Sequence, residues 1–102
     1  MTIAWSEPAL GDLAAIHAAL ARDSEPYASR VVDRLMGAVE PARPVPRLGR
    51  VVQEIGDERI RELLFQTFRI IYQAESQRIV ILAVVHGGRA AERREPRRWE
   101  LS

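Results

Sequence analysis

The run from Ile79 to Val85 is the strongest constraint on what this chain can fold into. Its seven residues, Ile-Val-Ile-Leu-Ala-Val-Val, are apolar at both odd and even positions. An amphipathic strand alternates, so a run without alternation must be covered on both faces. It is also far short of the about 20 apolar residues a membrane-spanning helix requires. The run therefore predicts a strand buried on both faces, near the middle of a sheet, and no membrane association.

The rest of the chain supplies the partners of that strand. Thr2 to Trp5 reads as a short strand. Ser6 is a plausible helix cap, with Glu7 and Pro8 suited to a first turn. Ala9, Leu13, Ile16 and Leu20 then recur at helical spacing to about Arg22. Ser24, Glu25 and Pro26 restart a helix whose stripe is Ala28, Val31, Val32, Leu35 and Val39. So short a link predicts an antiparallel helical hairpin. Pro41, Pro44 and Pro46 end it. Arg50–Ile55 reads as a strand and Gly56–Glu58 as a turn. Arg61–Gln66 is a further strand, and Phe68–Gln73 alternates with period two. Glu75–Gln77 is a hairpin loop leading into the apolar run. Helices early and strands late mean an α+β fold: an N-terminal strand and a two-helix antiparallel hairpin packed on a mostly antiparallel sheet of four to five strands. The second face of the sheet is expected to be open, at least in part. One domain over residues 1–90 and an Arg-rich tail over 91–102 account for the 102 residues.

Composition excludes several chemistries. The chain has no cysteine, which removes disulfides, thiol nucleophiles and Cys-ligated metals. Two histidines and scattered carboxylates lack metal-ligand spacing, so no metal or cofactor is expected. No basic stretch followed by an apolar one opens the chain, so a cytoplasmic location is expected. All 15 basic residues are arginine. They are unevenly placed: residues 1–46 carry a net charge of −2 and residues 47–102 a net charge of +3. Arg89 to Arg98 alone contains five Arg and two Glu. Such a half suits an acidic protein segment or a phosphate backbone.

Ordered motifs carry a resemblance. Trp5-Ser6 followed by Ala9 and Asp12-Leu13, Pro26-x-Ala28, Pro46-x-x-Gly49-Arg50, Glu54 four residues later, Arg61-Glu62-Leu63, Phe68-Arg69-Ile70-Ile71-Tyr72, and Ile79 to Val85 running into His86-Gly87-Gly88-Arg89 follow one another. This set resembles the RelE/ParE superfamily of type II toxin–antitoxin toxins over about residues 3 to 90. Gln53 stands where that family commonly has Pro, and Phe68 where it commonly has Tyr. The tail beyond Arg89 has no firm counterpart. The resemblance implies a cognate antitoxin that wraps the toxin in a hetero-oligomer, expected to be a heterotetramer, and that alone contacts operator DNA.

The resemblance leaves two targets. ParE-like members inhibit DNA gyrase by binding, which is the expectation favoured here. RelE-like members cut messenger RNA in the ribosomal A site. The lysine-rich RelE version is closed to a chain without lysine. A YoeB-like version would use Glu54 as base, Arg69 as phosphate clamp and His86 as acid, on three different strands. Against this, Glu54 can simply pair with Arg61 or Arg69, and His86 can bond the Gly87-Gly88 turn. His17 reads as a packing or surface residue and Trp5 as a core anchor. For target or antitoxin binding the candidates are Arg50, Arg61, Arg89, Arg93 and Trp99.

Overall fold

The computed structural model describes residues 1–87. The chain runs β1 (Thr2–Trp5), α1 (Glu7–Ala21), α2 (Glu25–Gly37), a 3-10 turn (Glu40–Ala42), β2 (Arg50–Val51), β3 (Ile60–Phe65), β4 (Phe68–Ala74) and β5 (Arg78–His86). Five strands form one sheet in the order β1-β5-β4-β3-β2. Only the β1–β5 pair is parallel. The long apolar strand is thus interior, flanked by β1 and β4.

Local chemistry sets the helix ends. Ser6 Oγ accepts from the Ala9 N–H at 3.2 Å, and Ser24 Oγ accepts from the Tyr27 N–H at 3.2 Å. Each cap satisfies one of the N–H groups a helix start leaves without a partner. Pro8 and Pro26 follow in the first turns. The two stripes meet Phe68, Ile70, Tyr72, Ile79, Ile81 and Val84 in the main core, with Trp5 packed at its margin. Fully burying an aliphatic side chain of this kind contributes roughly 1.5–3 kcal/mol. His17 lies outside this core, paired with Glu25 across the hairpin.

The second face of the sheet is partly covered by the chain between β2 and β3. Val52, Ile60, Ile71, Leu82, Ala83 and Val85 form a separate cluster there, with Ile55 and Val80 beside it. This corrects the expected strand Arg50–Ile55, of which only Arg50–Val51 is extended. After Val52 the chain curls. The Ile55 and Gly56 N–H groups donate to the Val52 carbonyl at 3.1 and 2.9 Å, and Gly56 sits at φ 73°. The curl drops Val52 and Ile55 onto the sheet, which a straight strand at its edge could not do. Glu54 therefore hangs from a turn rather than from a strand.

A bulge in β5 switches which of its residues face which side. Tyr72 pairs with Ile81 and Ile71 with Ala83, leaving Leu82 as the extra residue. The parity changes there. Ile79, Ile81 and Val84 face the helices, and Ala83 and Val85 face the other way. β1 ends opposite Ile81, so the β5 edge beyond it has no strand partner. The start of α1 replaces one. The Ser6 N–H donates to Ile81 O at 3.1 Å, Ser6 Oγ donates to Leu82 O at 3.3 Å, and the Val84 N–H donates to Asp12 Oδ2 at 2.8 Å. Asp12 is buried by this arrangement. Replacing it by Ala leaves the buried Val84 N–H without its acceptor, at a cost of about 1–3 kcal/mol. Urea unfolding should show a clear loss for Asp12→Ala and a smaller one for Asp12→Asn, which keeps an acceptor oxygen.

Candidate functional site

The second face of the sheet carries charge as well as the apolar cluster. Strand alternation places Glu62 of β3 and Arg69 of β4 there, beside Ile71 and next to Arg50 of β2. Both are buried: Glu62 is 4% exposed and Arg69 6%. A charge in such a place must be paired and hydrogen-bonded. Arg69 Nε donates to Glu62 Oε1, and its Nη1 and Nη2 donate to the two oxygens of Glu54 at 2.8 and 3.2 Å. Arg50 Nε donates to the other Glu62 oxygen at 3.0 Å. The hydrogen bond to Glu54, above all, raises the Arg69 pKa beyond its already high value, with Glu62 adding to the shift and burial opposing it. The four groups line a cavity of about 540 Å³, together with Leu64, Phe68, Gln53 and the β3–β4 hairpin loop, Gln66-Thr67.

Of the three residues named for catalysis, the fold brings two together. Glu54 and Arg69 are in direct two-point contact, so each neutralises the other. His86 stands apart. It pairs with Phe68 in the ladder while Arg69 pairs with Val85, which puts the two side chains on opposite faces. The His86 ring lies against the Phe68 ring, centroids 5.1 Å apart. The turn expected to bond it includes Gly88, which lies outside the described residues. The Gly87 N–H donates to Thr67 O at 2.5 Å, with Gly87 at φ 71°.

The binding candidates also separate. Arg50 is at the cavity, its side chain 65% exposed. Arg61 faces the other side and acts as a tie: it donates to the carbonyls of Glu58, Gly49 and Arg47 at 2.9, 2.9 and 3.3 Å. Arg89, Arg93 and Trp99 lie outside the described residues. Among those described, no group of three or more His, Asp or Glu is placed to hold a metal, and no helix is long and apolar enough to cross a membrane.

Glu62 and Tyr72 stand in the motifs of the sequence, but no site role attaches to them there. Glu62 carries a signal: it is the one acid among same-parity apolar neighbours Ile60 and Leu64. Tyr72 explains a motif. Its hydroxyl donates to Pro46 O at 2.6 Å and accepts the Gly49 N–H at 2.9 Å. A Cβ on Gly49 would lie 2.8 Å from that hydroxyl and 2.6 Å from the Glu62 carbonyl, so only glycine fits. Pro46-x-x-Gly49-Arg50 is thus clamped at one end by Tyr72 and at the other by Glu62, which holds Arg50 at the cavity.

Known proteins resemble this chain in sequence pattern and in fold. A family model described as the ParE toxin of the type II toxin–antitoxin system, parDE, matches residues 3–91. The fold is similar to a chain of the chromosomal ParDE toxin–antitoxin system from P. aeruginosa: TM-score 0.73, 22% identity, covering 86% of this chain and 97% of that one. It is also similar to a chain of the RelBE2 toxin–antitoxin complex from Mycobacterium tuberculosis: TM-score 0.53, 19% identity, covering 83% of this chain and 95% of that one. No curated protein matches the sequence.

Two measurements probe the site's construction. Glu62→Ala leaves the buried Nε–H of Arg69 without its acceptor while Glu54 still pairs the guanidinium, and should cost about 1–3 kcal/mol in urea unfolding. Burial, above all, raises the Tyr72 pKa, and the Gly49 N–H opposes the shift. The unfolded chain then ionises first, so the Tyr72 contribution is complete at neutral pH and declines as pH climbs past about 10. Tyr72→Phe should lower stability by about 1 kcal/mol at neutral pH and flatten the alkaline decline.

Proposed function

The chain belongs to the ParE toxin family of type II toxin–antitoxin systems, and we propose that it arrests growth by binding DNA gyrase and is neutralised by a cognate antitoxin. The observation that carries this reading is the closed ion pair between Glu54 and Arg69. RNA cleavage by the 2′-hydroxyl needs a base free to take a proton, a cation free to meet the charged phosphorane and an acid for the leaving oxygen. Here the carboxylate named as base and the guanidinium named as clamp are committed to each other, and the ladder register turns His86 away from Arg69 and against Phe68. A protein that acts by binding needs no such set. It needs an ordered, chemically distinctive surface, and the second face of the sheet offers one.

The antitoxin half of the proposal follows the two solved relatives, both toxin–antitoxin systems. An antitoxin segment meeting this chain would find arginines concentrated after residue 46, which suits an acidic strand or helix.

Two assays on the chain purified free of antitoxin separate the targets. Inhibited supercoiling with accumulation of cleavage complexes, and intact messenger on programmed ribosomes, is the expected result. Messenger cleavage with unaffected gyrase overturns it. The variant His86→Ala sharpens the choice. Growth arrest should stay within about twofold of the parent, whereas loss of a catalytic acid would reduce cleavage by about a hundredfold or more.

A further inference from the structure

The charged groups of the cavity form a chain that alternates in sign, Glu54–Arg69–Glu62–Arg50. Its first three members are shielded, with side-chain exposures of 21%, 8% and 4%, while the last, Arg50, is 65% exposed. Arg50 uses only its Nε–H within the chain. Its two Nη groups, the outer edge of the guanidinium fork, have no hydrogen-bond partner among the described residues. An exposed arginine is ordinarily a mobile side chain that must be ordered when a ligand arrives. Here the buried Glu62 carboxylate, itself held from behind by Arg69, fixes the guanidinium beforehand. A fork of this kind matches a carboxylate in two-point geometry, and prior ordering lowers the entropic cost of using it.

We propose that the outer edge of Arg50 is a receptor for one carboxylate, the side chain of an Asp or Glu in an extended segment of a protein partner, with an apolar residue two positions along, on the same face of the segment, laid on Leu64. Leu64 is 57% exposed and lines the same cavity. Gln53, Gln66 and Thr67 line it too. Their amide and hydroxyl groups can serve both the N–H and the C=O of a peptide backbone. Gln66 is held at φ 54°, a conformation that residues other than glycine adopt rarely. A nucleic-acid strand is a poorer match. Two carboxylates balance the two guanidiniums of the cavity, so a second phosphate would approach Glu54 rather than another free cation. The inference rests on reading this face as a protein-docking surface. Its test uses neither antitoxin nor gyrase, so its failure leaves the proposed target standing.

The test titrates the isotope-labelled full chain with the capped pentapeptides Leu-Ala-Asp-Ala-Leu and Leu-Ala-Asn-Ala-Leu, following the Arg50 Nε–H resonance. The Asp peptide should bind with a Kd on the order of 1 mM, weakening as salt is raised, and the Asn peptide at least about tenfold more weakly. Arg50→Gln should abolish the preference for Asp, and Arg50→Lys should keep only part of it. Equal affinity for the two peptides, or no shift by about 20 mM peptide, overturns the proposal. That comparison is made within the parent chain, so it holds even if a variant folds poorly. Tighter binding at Arg50 of a short single-stranded oligonucleotide than of the Asp peptide also overturns it.

Discussion

Arg69, a residue 6% exposed, places a guanidinium in the middle of a sheet, and much of the surrounding structure answers that one charge. Glu62 must sit opposite on β3. Glu54 must be brought over the face from outside the ladder, which the curl after Val52 accomplishes. Glu62, shared between two arginines, then sets the position of Arg50. The cost of burying a charge is met only while all of these hydrogen bonds are made. A substitution at one member is therefore felt by the next, out to the exposed end of the chain.

A second answer to unmet polar groups lies at the other edge. β1 is too short to pair with the whole of β5, and the bulge at Leu82 interrupts regularity where β1 stops. The first turns of α1 close the gap with Ser6 and Asp12. The residues that start the helix and the residue that caps the sheet are thus within seven positions of each other. Helix and sheet cannot form independently there, which ties the hairpin to the sheet by hydrogen bonds as well as by the core.

For function, the same interactions have opposite meanings for chemistry and for recognition. The ion pair between Glu54 and Arg69 occupies both groups and is, on the proposed reading, structural rather than catalytic. It also holds a patterned surface rigid without a ligand. A toxin that recognises a large protein gains from such rigidity, because ordering has been completed on folding rather than on binding.

Much of the architecture was legible in the sequence. Both helices, the serine cap of the first, the N-terminal strand, strands β3 and β4, the hairpin between β4 and β5 and the two-sided burial of β5 follow from periodicity and from the punctuation by Pro, Ser and Gly. These signals are local, and local geometry fixes them. The parallel pairing of β1 with β5 had no such signal, because strand direction is set by a connection two helices long. The length of β2 was misread because Val52 and Ile55 are apolar whether they extend along an edge or curl over a face. The site divides in the same way. Its residue types stand in the sequence, including a Glu and an Arg able to pair. Which side of the sheet each one occupies depends on register and on a one-residue bulge. Those separated His86 from Arg69 and made Glu62 the hub. The sequence by itself determined an α+β fold with one strand that must be buried on both faces, because apolar surface has to leave water wherever it ends up. Only the tertiary structure decided which charges meet, because hydrogen bonds and ion pairs act over a few ångströms and the residues that make them here are distant in sequence.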